Sequence, residues 1–178
     1  MELTSGQHQP ARQPRPRKCG HSAFGIVCLL ILLAVREMGG MPLGLVYDPN
    51  REHCLTDFHL GAFLRHTPNR FHQGDLVMFK PVPALSYVRD PFVLKRVAAV
   101  PGDHLVIKGG IVCVNGREVA RGLPLASFYK RSPSEFARDE TVPAGRLFVV
   151  GNAERSDDSR YWGYLESSKV VGTAIRLF

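Results

Sequence analysis

LKRVAAVPGD, residues 94–103, combines a run of apolar side chains with an internal Lys-Arg pair and ends in a Pro-Gly-Asp turn. Because side chains alternate across a strand, a strand here places Lys95 on one face with Val93 and Val97. Arg96 then points to the opposite face. An apolar face favours the uncharged form of an amine, and an uncharged lysine is a competent general base. The alternative is an edge-strand lysine whose stem lies on the core while its ammonium group stays in water.

Short apolar runs of the same kind recur along the chain, and turn residues separate them. The predicted strands are Asp75–Lys80, Phe92–Val100, His104–Lys108, Ile111–Val114, Arg146–Val150 and Val170–Phe178. Gly109-Gly110 and Asn115-Gly116 are typical of tight hairpin turns. Thr56–His66 is the best candidate for a short helix, because few other segments show a helical period. The pattern predicts a mainly β domain.

The composition is that of a globular protein with a basic surplus. Of the 178 residues, 44% are hydrophobic and 22% charged, which excludes a disordered chain and suits one ordinary domain. The net charge of +7 suits an anionic membrane surface or nucleic acid, or it reflects solubility and a basic tail. Arginine and lysine are not interleaved with aromatic residues along any stripe, so we expect no nucleic-acid partner.

The cysteine and histidine spacings do not suggest a metal or redox site. Cys19, Cys28, Cys54 and Cys113 form no C-x-x-C motif, and the seven histidines form no H-x-x-x-H or H-E-x-x-H motif. We therefore expect neither a metal nor an organic cofactor. Cys54 and Cys113 are candidates for one disulfide in an oxidising compartment, and two buried thiols are the alternative.

The N-terminal part has the layout of an export signal. Residues 1–20 are polar, basic and proline-rich, and they predict a disordered cytoplasmic tail. Thirteen uncharged, mostly large apolar residues follow, Ala23–Val35. We expect an uncleaved transmembrane signal anchor over residues 21–37, because the exit lacks an A-x-A-like cleavage site. A cleaved signal peptide and a buried soluble helix are the alternatives. The basic charge before the span predicts that residues 38–178 lie outside the cytoplasm.

A polar segment near the end of the chain carries short hydroxyl and carboxylate side chains. It runs from Gly151 to Gly163 and contains SDDSR at residues 156–160. Asp158 and Arg160 could pair and fix its shape, and Ser156 could hydrogen-bond an amine and so orient a base. A polar loop stabilised by local turns is the alternative interpretation.

Four sequence boxes resemble those of the bacterial type I signal peptidases, a family of Ser/Lys endopeptidases classed as S26. Residues 95–103 resemble the lysine box, and residues 156–163, SDDSRYWG, are similar to the S-x-D-S-R-Y-W-G box. Residues 148–152 resemble the F-x-x-G-D-N lead-in, with Asn152 where aspartate is usual and the loop one residue shorter. Residues 74–77, GDLV, match the G-D-[ILV]-V strand entry. The boxes stand in the family's order, and the resemblance extends from the apolar segment to the end of the chain.

The resemblance implies antiparallel sheets, partly barrel-like, behind one transmembrane helix. It also implies a single-pass protein of the bacterial inner membrane with a periplasmic catalytic-type domain at residues 38–178. The string MPLGLVY at residues 41–47 is similar to the conjugal-transfer (TraF-type) branch, which processes pilus subunits. The expected partners are an exported preprotein or propilin substrate and membrane lipid.

Roles carried over from the family by position assign Lys95 as the general base and Ser156 as the residue that orients its amine. Asp158 and Arg160 brace the late loop. Met41 sits beside the nucleophile, and Pro42 fixes the chain direction there.

The position of the family's nucleophilic serine is occupied by Gly40. A glycine has no side chain that can attack, and no serine lies between Ser22 and Ser86. A natural pseudoenzyme, a deliberate change or sequence error, and an unforeseen nucleophile or activated water remain open. The sequence is therefore compatible with a membrane-bound endopeptidase or with a non-catalytic relative that binds exported peptides by adding a strand.

Overall fold

The computed structural model describes residue 30 and residues 43–47, 55–66 and 68–177. The chain divides into two compact units, Met1–Gly40 and Met41–Phe178, and the described strands belong to the second. The predicted tail, the signal anchor apart from residue 30, and the positions of Gly40, Met41, Pro42 and Cys54 lie outside the described residues. Within those ranges, we find no helix that is long and apolar enough to cross a membrane.

The described part of the second unit is built mainly of strands. These are β1 Leu43–Tyr47, β2 Leu60–Leu64, β3 Leu76–Phe79, β4 Val93–Ala99, β5 His104–Lys108, β6 Ile111–Val114, β7 Arg117–Arg121, β8 Arg138–Thr141, β9 Arg146–Val150, β10 Leu165–Glu166 and β11 Val170–Arg176. One short helix, α1, spans Ser159–Trp162. Three-ten turns span Pro83–Leu85, Pro133–Phe136 and Ser167–Lys169.

The strands form two antiparallel sheets. The larger has the order β1-β2-β11-β3-β4-β9-β10, and the smaller has the order β7-β6-β5-β8. In the described ranges both orders run open from one edge strand to the other, so the barrel-like closure expected from the resemblance is not seen there. The mainly β, antiparallel character of the prediction is confirmed.

The predicted strands agree with the observed ones to within one or two residues. His104–Lys108, Ile111–Val114 and Arg146–Val150 have the predicted bounds, and the hairpin between β5 and β6 turns at Gly109-Gly110 as expected. Five of the described strands were not predicted, namely β1, β2, β7, β8 and β10. β7 and β8 were missed because charged residues dominate them. Their sequences are REVAR and RDET, and they satisfy their backbone groups by pairing with β6 and β5.

The helix predicted over Thr56–His66 is wrong. Leu60–Leu64 forms strand β2, which pairs with β1 on one side and β11 on the other. The backbone hydrogen bonds of these two ladders stabilise the strand more than the weak helical period of the sequence could stabilise a helix. Gly61 fits the strand because a Cβ atom there would meet the Phe58 ring at 2.5 Å and the Ile175 carbonyl oxygen at 2.8 Å.

Packing divides the core into two main layers. One layer lies on the face of the large sheet that carries Val77, Val93, Val97 and Val149, and the three-ten turn residue Leu85 packs on it. The other includes residues of both sheets, such as Leu105 and Ile107 of β5 and Phe148 of β9. Burial of these apolar side chains fixes the position of β4, the strand that carries Lys95.

Residues directly opposite each other in neighbouring strands point to the same side of a sheet. Lys95 pairs with Val77, and Val77 pairs with Thr173. The same row continues from Thr173 through Leu64 to Leu43. Lys95 therefore shares a face of the large sheet with the side chains at the exposed β1 edge.

Candidate functional site

Lys95 and Ser156 meet inside the protein. The Lys95 Nζ atom donates a hydrogen bond of 2.7 Å to the Ser156 Oγ atom. Lys95 is 1% exposed and Ser156 is fully buried, so the contact is shielded from water. Lys95 alternates with Val93 and Val97 along β4 as expected, and Ser156 lies in the loop between β9 and α1. A strand and a loop that are 61 residues apart are thus joined at a buried amine.

The loop that carries Ser156 is held by a buried ion pair. The Asp158 Oδ1 atom accepts from Arg160 Nε at 2.8 Å, and Oδ2 accepts from Arg160 Nη2 at 2.9 Å. This carboxylate also caps α1 by accepting from the Arg160 backbone N–H, and it accepts from the Gly151 N–H. Both side chains are at most 2% exposed. A bidentate pair of this kind fixes the relative orientation of the two side chains and also compensates their buried charges.

The guanidinium of Arg160 links the loop to other parts of the domain. Its Nη2 donates to the Ser156 carbonyl oxygen at 3.0 Å, and its Nη1 donates to the carbonyl oxygens of Arg121 and Gly122. Burial alone would lower the pKa of Arg160, but the hydrogen bonds and charge of Asp158 outweigh burial and raise it. Arg160 therefore stays charged, and it fixes the backbone of Ser156.

A second network joins the start of the late loop to β4 on its other face. The Asn152 Nδ2 donates to Asp57 Oδ1 at 2.8 Å, and the Thr56 backbone N–H donates to Asn152 Oδ1 at 2.7 Å. The other oxygen of Asp57 accepts from Arg96 at 2.8 Å and from Arg176 at 3.2 Å. Sequence reasoning missed Asp57, because nothing in its neighbourhood signals partners 39, 95 and 119 residues away.

Asp157, the neighbour of Ser156, is held by two tyrosine hydroxyls. The Tyr87 hydroxyl donates to Asp157 Oδ2 at 2.6 Å, and the Tyr129 hydroxyl lies 2.7 Å from Oδ1 and 2.9 Å from Oδ2. Burial, together with the hydrogen bond to Asp157, raises the pKa of Tyr129 far above its ordinary value. Tyr129 therefore remains a hydrogen-bond donor throughout the usual pH range. Neither tyrosine was a predicted site residue.

Comparison with known proteins decides the family of the chain. The family described as signal peptidase, peptidase S26 matches residues 23–178. The chain belongs to the signal peptidase family. The match covers the late loop and the strand of Lys95 in one stretch.

Similar proteins include signal peptidase I of Leptolyngbya laminosa, 34% identical over 60% of this chain and 52% of that protein. Signal peptidase I V of Bacillus subtilis is 32% identical over 83% of this chain and 91% of that protein. The chain spans about half the length of the first of these two relatives. A crystal structure of signal peptidase I from Enterococcus faecalis matches 59% of this chain and 97% of that one, with 28% identity and a TM-score of 0.38.

The structure thus places four of the predicted site residues of this signal peptidase family member in two buried pairs. Lys95 contacts Ser156, and Asp158 contacts Arg160. Gly40, Met41 and Pro42 lie outside the described residues, as does the Cys54 half of the suggested disulfide, while Cys113 is a free, partly buried thiol. In the described ranges, no group of three or more His, Cys, Asp or Glu side chains is arranged to hold a metal ion.

Asn152 departs from the usual aspartate of the family box, and Asp57 explains why an amide fits. We predict that Asn152→Asp destabilises the protein by about 1 kcal/mol at pH 7, because a donor facing Asp57 Oδ1 becomes a like charge. The penalty should shrink as the pH falls towards about 4, where a shared proton restores the hydrogen bond. Urea denaturation at the two pH values measures this difference.

Asn152→Ala is the matched control, because it removes the same hydrogen bonds without adding charge. The loss of unfolding free energy caused by Asn152→Ala should change less between pH 7 and pH 4 than the loss caused by Asn152→Asp. Equal pH dependence of the two variants would show that Asp57 does not act on position 152 through its charge.

Proposed function

We propose that this chain is a membrane-anchored, signal-peptidase-like protein whose Lys95 site receives exported preproteins, and whose peptide hydrolysis is impaired because Gly40 replaces the nucleophilic serine. The observation that carries the proposal is the buried Lys95–Ser156 hydrogen bond of 2.7 Å. Burial by itself requires only that the amine have a hydrogen-bond partner. A serine hydroxyl also fixes the direction of the amine without adding a counter-charge beside it, which suits a general base.

The chemistry follows from what each group can do. In a Ser/Lys endopeptidase an uncharged lysine takes the proton of the serine hydroxyl as its oxygen attacks the peptide carbonyl. Lys95 lies on a face of β4 that it shares with Val93 and Val97, and Ser156 restricts the direction of its amine. Asp158 and Arg160 hold the Ser156 backbone. Lys95 thus supplies the base, and Ser156, Asp158 and Arg160 hold it in position. Gly40 cannot supply the attacking oxygen, because it has no side chain.

An exposed apolar face supports a site close to a lipid surface. It consists of Leu43, Leu45, Tyr47, Leu64, Ile175 and Leu177, each at least 43% exposed. Leu43 pairs with Leu64, Leu45 pairs with Ala62, and Ala62 pairs in turn with Ile175. These residues therefore lie on the same side of the sheet as Lys95. Contiguous exposed apolar side chains mark interaction surfaces, and a membrane is the partner that the preceding apolar segment implies. A peptide leaving the membrane would then meet the Lys95 face directly.

Propilin of a conjugal-transfer apparatus is the substrate that we propose within this class. The support is the string MPLGLVY at residues 41–47, which resembles the TraF-type branch, and the short form of the domain. The proposed location is the bacterial inner membrane with residues 38–178 in the periplasm. We propose no nucleic-acid partner.

The experiment is co-expression of the full chain with a tagged propilin and, separately, a tagged preprotein. We expect the mature product only with Gly40→Ser, because the new hydroxyl supplies the missing nucleophile. Gly39→Ser is the matched control, and it should give no product because its hydroxyl stands one residue away from the required position. Immunoblots of precursor and mature forms measure the outcome.

Other results of this experiment would contradict parts of the proposal. Cleavage by the parent chain that is lost in Lys95→Ala would contradict impairment by Gly40. Absence of cleavage by both the parent and Gly40→Ser would contradict a peptidase-type site at Lys95. Cleavage of the preprotein but not of the propilin would contradict the conjugal-transfer assignment alone.

A non-catalytic, peptide-binding role is the second candidate. The observation that favours it is the retention of a complete Lys95–Ser156 and Asp158–Arg160 arrangement in a chain with glycine at position 40. In the same experiment, co-purification of uncleaved substrate with the parent chain would support this role.

A further inference from the structure

We propose that Asp157, Tyr87 and Tyr129 form a clasp that positions Ser156, and through it Lys95, for the proposed reaction. We call these three side chains the tyrosine clasp. The inference rests on the proposed function in one respect, that Lys95 acts as a base. Asp157 is the next residue after Ser156, so any rotation of its backbone moves the serine hydroxyl.

Three consecutive side chains of the loop make contacts in three different places. Ser156 contacts the Lys95 amine, Asp157 accepts from the two tyrosine hydroxyls, and Asp158 accepts from Arg160. The first and third contacts do not by themselves set the rotation of the residue between them. The clasp supplies that constraint, because the Asp157 carboxylate is held on both oxygens.

The two tyrosines are themselves anchored, and each comes from a different connection. Tyr87 follows the three-ten turn Pro83–Leu85 between β3 and β4, and Leu85 packs in the core layer that contains Val93. Tyr129 lies between β7 and β8, and its ring stacks on Tyr161 with centroids 5.3 Å apart and planes 2° apart. The hydroxyls therefore approach Asp157 from fixed positions.

The electrostatics argue against a merely space-filling role for Asp157. A buried carboxylate is usually neutralised by a cation, and none of the hydrogen bonds described for Asp157 comes from one. Hydroxyl donors hold the carboxylate in place without adding a positive charge. Asp157 lies beside the residue that holds Lys95, so its orientation, set by the two tyrosines, also sets the geometry of the amine. We therefore assign Asp157 and the two tyrosines as positioning residues, not catalytic ones.

The first test measures the accessibility of the Lys95 amine and needs no cleavage activity. The native full chain is labelled with a lysine-acylating reagent, and the rate at each lysine is followed by peptide mass spectrometry. In Asp157→Asn and in the Tyr87→Phe/Tyr129→Phe double variant, Lys95 should label at least about tenfold faster. Lys108 and Lys169, which are exposed, should keep their rates. Tyr164→Phe is the matched control, because it removes a tyrosine hydroxyl that donates to Glu140 instead.

The second test measures cleavage kinetics in the Gly40→Ser background. Loss of the clasp should lower kcat at least about tenfold with KM within about twofold, because the base is misplaced while the peptide still binds. Tyr87→Phe alone removes one hydroxyl from a half-exposed ring, so it should fold and show a smaller loss of kcat.

The two tests separate failure of the inference from failure of the proposed function. Unchanged Lys95 labelling and unchanged kcat in the clasp variants would overturn the clasp, even with an active Gly40→Ser chain. Equal acceleration of labelling at all lysines would also overturn it, because that result indicates general loosening. Faster labelling confined to Lys95, together with an inactive Gly40→Ser chain, would support the clasp and contradict only the peptidase role.

Discussion

Lys95→Met in the Gly40→Ser chain is expected to lower the rate of substrate cleavage by about 10²- to 10⁴-fold, the usual contribution of a general base. Methionine has nearly the length of lysine and no proton acceptor of comparable strength. The buried contact with Ser156 is lost, while the apolar stem still fills the space between Val93 and Val97. Initial rates with a purified preprotein, at substrate concentrations above and below KM, measure the effect.

The same substitution should leave the fold intact. The substitution leaves the buried Ser156 hydroxyl without the amine as its partner, so the free energy of unfolding should fall by about 1–3 kcal/mol, less than the total stability of an ordinary domain. Arg96→Met is the matched control, because the neighbouring side chain points to the other face and pairs with the partly exposed Asp57. Its cleavage rate should stay within a few fold. Comparable losses in both variants would indicate damage to β4 and not the loss of a base.

Local patterns were sufficient to predict the strand that carries Lys95. Alternation along residues 93–97 gave the face of the lysine, and glycine pairs gave the β5–β6 hairpin, because both depend on neighbours within a few residues. The resemblance of the late box gave the contact of Ser156 with a lysine 61 residues away. Alternation alone could not distinguish that contact from a solvated edge lysine.

The surroundings of the site depend on contacts that no local pattern encodes. Asp57, Tyr87 and Tyr129 reach the late loop from 95, 70 and 28 residues away. The Thr56–His66 segment illustrates the same limit. Its conformation is decided by the pairing of β2 with β1 and β11, and not by the periodicity of its own sequence. Sequence reasoning therefore found the central pair, but it did not find the residues that hold that pair in place.

Arg160→Met is expected to destabilise the protein by about 3–5 kcal/mol, because it leaves the carboxylate of Asp158 buried without its cation. The side chains of the pair are 2% and 0% exposed, so water cannot replace the guanidinium. The substitution also removes the donors to the carbonyl oxygens of Ser156, Arg121 and Gly122. Urea denaturation at neutral pH measures the loss.

The matched control for this prediction is Arg146→Met, which breaks an ion pair of similar length with Glu166. That pair is 3.0 Å long, but its side chains are 41% and 40% exposed, so its loss should cost no more than about 1 kcal/mol. Equal losses in the two variants would contradict a special role for burial of the Asp158–Arg160 pair. A double variant with Asp158→Asn should recover part of the stability of Arg160→Met, because the uncompensated charge is gone.

The pH dependence of the free energy of unfolding tests whether the Arg160 guanidinium is the group that stabilises the Asp158–Arg160 pair. The folded state raises the pKa of Arg160 above its already high ordinary value, so the arginine's contribution is fully present below that ordinary value. It is lost only as the pH rises through the folded pKa, far above neutrality. The stability difference between the parent and Arg160→Met should therefore not decline between pH 7 and pH 9. A decline in that window would mean that the guanidinium is not what stabilises the loop around Ser156.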